Sequence, residues 1–356
     1  MNKFLNSIEL PGIGRTIAEV ARIIEAKAAN DAILARIELG FPAQNRLEAY
    51  RAHIAAALSA ETGCEDVSVE MTTKIVAHGV QRNLKPLENV RNVIAIASGK
   101  GGVGKSTVAV NVALALVAEG ARVGLLDADI YGPSQPHMVG LAGKQPQSED
   151  GKTMRPLEAY GLQVMSIGFL IDADQPMVWR GPMVTSALQQ LLHQTTWQDL
   201  DYLIVDMPPG TGDIQLTLSQ QVPVSGAVIV TTPQNIATLD ARKGLAMFRK
   251  VSIPVLGVIE NMSTHVCSAC GHEEPIFGAG GGEKMSQDFD VELLGQLPLD
   301  SRIREQTDSG KPTVLADPDS AAAAAYRSAA LNMAAAQAAQ GRDYASKFPK
   351  IVVEDS

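Results

Sequence analysis

Ser98-Gly-Lys-Gly-Gly-Val-Gly-Lys-Ser-Thr107 follows the apolar run Asn92-Val-Ile-Ala-Ile-Ala97 and opens an amphipathic stretch over residues 105–119. Strand, glycine-rich loop, helix is the order that cradles phosphate, and residues 99–106 fit the pattern G-x-x-x-x-G-K-S/T. A di- or triphosphate must be wrapped in backbone N–H groups, and side chains at those positions would block the approach. Gly99, Gly101, Gly102 and Gly104 remove the obstruction and permit positive φ, while the following helix adds its N-terminal dipole. Residues 99–107 (Gly99, Lys100, Gly101, Gly102, Val103, Gly104, Lys105, Ser106, Thr107) are thus the expected nucleotide loop. In it Lys105 contacts the β- and γ-phosphates and the Ser106 hydroxyl holds Mg²⁺.

Gly99, Gly101 and Gly104 also spell the dinucleotide fingerprint G-x-G-x-x-G, with Asp127 as the acid that follows. Hydride-transfer enzymes do not need Lys105-Ser106, however, and a second acidic strand end favours the triphosphate. Asp201-Tyr-Leu-Ile-Val-Asp206 is an apolar strand that ends in an acid, ahead of Met-Pro-Pro-Gly-Thr-Gly-Asp213. A carboxylate there serves Mg²⁺ directly or through water, and the 208–212 run is a candidate switch that senses the γ-phosphate. Arg122-Val-Gly-Leu-Leu-Asp127 delivers Asp127 and Asp129 to the same edge of a parallel sheet, where the two carboxylates could serve Mg²⁺ and the attacking water; the alternative is that Asp127 only caps the turn that follows.

Bulk properties set the limits. The chain has 356 residues, 46% apolar and 19% charged, an ordinary globular composition with room for one large and one small domain. A net charge of −9 argues against a broad nucleic-acid or anionic-membrane surface. No segment reads as a membrane span or a signal peptide. Three cysteines give no disulfide framework, so a cytoplasmic protein with reduced thiols is expected.

Residues 1–87 read as a small α+β unit with its linker. A short helical pattern covers residues 19–27, a strand Ala32-Ile-Leu-Ala-Arg-Ile-Glu-Leu39, and a helix residues 46–58 that Asn45 could cap; Val67-Ser-Val-Glu-Met71 alternates as a strand. Cys64 reads as an incidental thiol, and residues 78–91 as a patternless linker. Residues 88–342 form the main domain, with further strands at Val164-Met-Ser-Ile-Gly168, Gly226-Ala-Val-Ile-Val230 and Val255-Leu-Gly-Val-Ile259. Helices are expected over 183–193, 236–251 and 320–339, the last an alanine-rich packing surface. The βα alternation predicts an α/β fold, a doubly wound and mostly parallel sheet. Residues 343–356 form a tail without an amphipathic membrane helix.

His265-Val-Cys267-Ser-Ala-Cys270-Gly-His272 carries the second chemistry. Cys-x-x-Cys-Gly is a knuckle in which two thiolates and nearby N–H groups grip a metal or cluster. A Cys₄ site needs another pair, which this chain lacks. A symmetric dimer sharing one centre between two Cys267/Cys270 pairs, a Zn²⁺ site using His265 and His272, and a redox dithiol all remain open.

Together these residues resemble a known family. Lys100-Gly-Gly-Val-Gly-Lys105 is similar to the deviant Walker A loop of the MinD/ParA/nitrogenase-reductase class, whose mark is the extra lysine at position 100. With Asp127-Ala-Asp-Ile-Tyr-Gly-Pro-Ser134, Trp179-Arg-Gly-Pro182, 206–213, Glu260-Asn-Met262 and Cys267-Ser-Ala-Cys270, the chain resembles the Mrp/ApbC branch of iron–sulfur carriers over residues 90–320. Residues 30–75 resemble, in element order, the small domain often fused to that branch. The resemblance implies a homodimeric ATPase in which Lys100 reaches the partner's phosphates and Asp129 orients water. Ser106, Asp127 and Asp206 would manage Mg²⁺, and Asn261 would read adenine. It further implies a [4Fe–4S] cluster held by Cys267 and Cys270 of both subunits, received from scaffold proteins and passed to apo-proteins, without nucleic acid or membrane. A positioning or partitioning ATPase of the same fold is the alternative, and it has no need of the cysteine pair.

Overall fold

The structure, a computed structural model, describes residues 1–29, 31–81, 84–148, 150–170, 181–267 and 270–341. The expected features at Trp179, Arg180, Ser268, Ala269 and the 343–356 tail lie outside the described residues.

The N-terminal unit begins with α1 (Asn2–Ser7), a two-strand pair of β1 (Glu9–Leu10) and β2 (Arg15–Thr16), and α2 (Ile17–Val20). Strands β3 (Ala21–Ala29), β4 (Ala32–Leu39) and β5 (Asp66–Thr73), with α3 (Leu47–Thr62) as the crossover, form a separate three-stranded sheet in the order β3-β4-β5. On β4, Ile33, Ala35, Ile37 and Leu39 are buried; their period of two supplies one face of the core. Tyr50, Ile54 and Leu58 on α3 supply the other.

Two expectations fail here. Residues 21–29 are strand, and only Ile17–Val20 is helical. Charges on that strand mimic a helical period because they pair across the ladder, Arg22 with Glu38 at 3.1 Å and Glu25 with Arg36 at 2.8 Å. Asn45 does not cap α3 through its side chain. Its amide nitrogen donates to Ala118 O (2.9 Å) and its backbone N–H to Glu119 Oε2 (3.0 Å). The small domain is thereby fastened to the C-terminal end of the helix that starts at the phosphate loop.

The linker is docked as well. His78 is buried with Nδ1 2.8 Å from Asn92 Oδ1, and Gln81 Nε2 donates to Ser219 O (2.8 Å). Val90 and Arg91, expected in the linker, already belong to the first strand of the main sheet.

That sheet has eight strands: β6 (Val90–Ser98), β7 (Val123–Asp127), β8 (Leu157–Ala159), β9 (Leu162–Ser166), β10 (Leu200–Asp206), β11 (Gly226–Thr231), β12 (Val255–Glu260) and, after a hairpin of β13 (His265–Val266) and β14 (Glu273–Glu274), β15 (Leu293–Gln296). Their order is β15-β12-β11-β6-β10-β7-β9-β8, parallel throughout except for β8 against β9. The helices are α4 (Lys105–Ala118), α5 (Gln135–Met138), α6 (Gly181–Gln194), α7 (Asp213–Gln221), α8 (Asn235–Lys250), α9 (Gly281–Phe289), α10 (Ser301–Asp308), α11 (Thr313–Ala316) and α12 (Ala321–Ala338). β6, β10 and β11 are buried along nearly their whole length, which is why they read as unbroken apolar runs. The alanines of α12 do act as a packing surface: Ala329 lies so close to Gly295 of β15 that a Cβ there would come within 2.9 Å of it.

The same closeness governs Gly124, the second residue of β7. A Cβ there would sit 2.9 Å from Leu203 Cδ1 and 3.1 Å from Trp197 Cζ3. Gly124→Ala is expected to cost about 1–3 kcal/mol by overpacking, read as a lower urea midpoint with unchanged slope. An unchanged midpoint contradicts this packing.

Candidate functional site

β6, β7, β10 and β12 end at one edge of the sheet, and each delivers a polar element there. After β6 the chain turns through Gly102 (φ +82°) and Gly104 (φ +77°), the latter capping α4. Glycine is required at 99 and 104 by close approach: an added Cβ would strike the Asp240 backbone at the first and the Asn261 amide at the second. The loop wraps a cavity of about 230 Å³ lined also by Asp129, Ser134, Met138 and Pro209. Gly99, Lys100, Gly101, Gly102, Val103, Gly104, Lys105, Ser106 and Thr107 are thus brought together as expected, and all but Gly99 line the cavity.

Lys105 is buried, its ammonium paired with Asp206 Oδ1 and 3.2 Å from Ser106 Oγ. The other oxygen of Asp206 accepts from Gln135 Nε2 at 2.8 Å, and Gln135 also reaches Ser106 O at 3.0 Å. Lys100 is half-buried on the cavity wall. The 208–212 run is docked on the loop strand, with Gly210 N–H donating to Ser98 O at 3.0 Å.

Asp127 pairs in register with Asp206 across β7 and β10 and is buried. Its Oδ1 accepts from Asp129 N (3.2 Å), and its Oδ2 from Ser134 N (3.0 Å), Gln135 N (3.1 Å) and Ser166 Oγ (3.1 Å). Burial, then the neighbouring Asp206 charge, push its pKa up to about 7, against the Gln135 N–H and Lys105. Asp127 does not line the cavity. Its carboxylate ties down the loop over 128–135 through these bonds, which is what the turn-capping reading of Asp127 expects. Asp129 stands on that loop at the cavity, its pKa raised chiefly by burial.

A second cavity of about 330 Å³ adjoins the first at Gly104, Thr107 and Met138, with Asn261, Pro298 and Leu299 on its wall. Asn261 Nδ2 donates to Val103 O at 2.9 Å, leaving the amide oxygen as an acceptor. Sequence reading found Asn261 but missed residues 298–308. The available signal was Leu-Pro298-Leu-Asp300 after a short strand, with Asp300 capping α10 through Arg302 N at 2.8 Å.

The cysteines sit at the tip of the β13–β14 hairpin, His265 opposite Glu274 and Val266 opposite Glu273. Cys267 N–H donates to His272 O (2.9 Å), and Gly271 N–H to Cys267 O (2.8 Å) with Gly271 at φ +71°. Cys270 is exposed and Cys267 half-buried. His265 Nδ1 is directed at Leu299 O, 3.0 Å away, and no group of three or more metal-ligating side chains is assembled among the described residues. The Cys₂His₂ arrangement therefore does not form among them. In the small domain, Cys64 Sγ donates to Asp31 O at 2.8 Å beside a cavity of about 500 Å³.

Comparison with known proteins matches residues 89–334 to the ParA family described as NUBPL iron-transfer P-loop NTPase. An iron–sulfur cluster carrier protein of Pseudomonas fragi is 60% identical over 276 residues, 77% of this chain and 96% of that one. Among solved structures, a nucleotide-binding protein from Archaeoglobus fulgidus in complex with ADP superposes with a TM-score of 0.56 at 35% identity, covering 63% of this chain and 88% of that one. The cell division ATPase MinD of Pyrococcus furiosus shares the fold, with a TM-score of 0.51 at 22% identity over 68% of this chain and 98% of that one.

The raised pKa of Asp127 has a measurable consequence. Between the ordinary aspartate value of about 3.9 and about 7, the folded chain holds a proton that the unfolded chain releases. Stability therefore falls as pH rises through that window and levels off above it. Asp127→Asn keeps an acceptor for the loop and should flatten the decline in urea midpoint. An equally steep decline in the variant contradicts the assignment.

Proposed function

The chain belongs to the NUBPL iron-transfer P-loop NTPase group of the ParA family, and from that premise we infer that it is an ATP-hydrolysing carrier that assembles an iron–sulfur cluster and hands it to apo-proteins. The observation that carries this reading is that a phosphate loop and a paired-cysteine hairpin open from the same edge of one sheet. A positioning ATPase would have use for the first and none for the second.

The residues divide the work as follows. The N–H groups of residues 101–105 face the phosphates, and Lys105 turns from Asp206 toward the β- and γ-oxygens. Ser106 and Asp206 hold Mg²⁺, which when bound neutralises charge on those oxygens. Asp129 orients the attacking water and, with its raised pKa, is suited to take its proton. Asp127 keeps the Asp129 loop in shape. The Asn261 oxygen accepts from the adenine amino group, which guanine lacks at that position. Lys100 completes the site of a second copy in a homodimer, as an arginine finger does in other triphosphatases.

The cargo is a [4Fe–4S] cluster bridging two chains, each contributing Cys267 and Cys270. Exposed Cys270 gives an acceptor thiol access to it. Scaffold proteins load the carrier and apo-proteins unload it. We place the protein in the cytoplasm, with residues 1–87 as the module that meets partners; among the described residues no helix is long and apolar enough to cross a membrane.

Lys100→Ala should lower ATP turnover by about 10²–10³-fold, the usual loss for one transition-state donor, with little change in nucleotide affinity. Lys105→Ala should lose both turnover and affinity. ATPase assays with equilibrium nucleotide binding separate the two, and unchanged turnover in both variants refutes the assignment.

A further inference from the structure

Between the two sites runs a strip, residues 260–265, of which the nucleotide chemistry uses Asn261 and neither chemistry uses the rest. Asn261 Nδ2 grips Val103 O in the phosphate loop at 2.9 Å. Met262 follows at φ +58°, a left-handed conformation that residues other than glycine seldom adopt. Ser263 N–H and Oγ then both reach Leu297 O, at 2.9 and 3.1 Å. Leu299 is held on both faces of the strip: its N–H donates to Thr264 O (2.8 Å), and its carbonyl accepts from His265 Nδ1–H (3.0 Å). Pro298 and Leu299 are also the wall of the base pocket. His265 lies two residues before Cys267 and opens the hairpin that carries it. Leu299 is thus shared between the second cavity, whose wall it lines, and the hairpin, whose His265 its carbonyl meets.

We propose that His265 is the positioning residue that ties base-pocket occupancy to the cysteine hairpin, so that nucleotide affinity and cluster occupancy are coupled within one chain through its bond to Leu299 O. The proposal rests on the reading of Cys267 and Cys270 as cluster ligands. With Nδ1–H committed to that carbonyl, the ring orientation is fixed and the strip from Asn261 to Cys267 moves as one piece. A base that displaces the 298–300 wall displaces the root of the hairpin. The coupling is reciprocal: whatever factor nucleotide applies to the hold on the cluster, the cluster applies to nucleotide affinity.

The test titrates a fluorescent ADP analogue into the full chain under anaerobic conditions, before and after reconstitution with iron and sulfide. In the unsubstituted protein the dissociation constant should shift by about five-fold or more between the two forms. His265→Phe should abolish that shift while leaving iron content and the affinity of the unloaded chain unchanged. His265→Asn, whose amide can still reach Leu299 O, should retain it. A shift that persists in His265→Phe, or that is lost equally in His265→Asn, overturns the proposal, as does a loaded protein with no shift. If the unsubstituted chain takes up no iron and sulfide, the carrier reading fails instead. Hydrogen exchange on the unloaded chain then decides the coupling, and it also decides if His265→Phe does not fold: ADP must slow exchange at both Leu299 and Cys267. Slowing at Leu299 alone, or at neither, overturns it.

Discussion

Two carboxylates, Asp127 and Asp206, end adjacent parallel strands in register, and both are buried. Like charges so placed cannot both remain uncompensated away from water. The protein resolves the conflict asymmetrically. Asp206 receives the buried ammonium of Lys105. Asp127 receives neutral N–H and O–H donors and a pKa pushed up to about 7. One ammonium group therefore fixes the helix start, the strand end and, through Gln135, the loop that carries Asp129. The same ammonium is the group a polyphosphate would claim. Polyphosphate binding of the proposed kind would exchange one partner of Lys105 for another and leave Asp206 available to a cation.

The arrangement also makes the glycines legible in physical terms. Gly99 is small because the α8 backbone passes over it, and Gly104 because Asn261 does. Asn261 in turn belongs to the segment that leads into the cysteine hairpin. The phosphate loop is thereby packed against the root of the cysteine hairpin.

Much of this was readable beforehand, and for a definite reason. Strands covered on both faces must be apolar at every position, so β6, β10, β11 and β12 stand out, and the polar residues that end them stand out more. The loop at 99–106 and the pair Cys267/Cys270 are likewise local in sequence. What is assembled from distant pieces was hidden. The second cavity needs Asn261 beside Pro298, a meeting created by the parallel register of β12 and β15, which places Glu260 opposite Gln296. β15 has four residues and a glycine, too few to show a period. The strand at 21–29 was misread as helix because its charges pair across a ladder invisible in one sequence. For Asp127 the sequence leaves Mg²⁺ and turn-capping both open, because a strand-end acid carries no sign of which way its oxygens are committed. The four donors that occupy them come from residues 129, 134, 135 and 166.

Under the proposed function, two cysteines on one hairpin supply half of a four-thiolate site, and Lys100 at the cavity wall serves the site of a second copy. In that reading both chemistries are completed by dimerisation. Native mass spectrometry of the anaerobically reconstituted chain tests it most directly. The account predicts a species of two chains with a single four-iron, four-sulfide cluster, which Cys270→Ala converts to metal-free protein. A monomer carrying its own complete metal centre, or a dimer with one centre per chain, would contradict it.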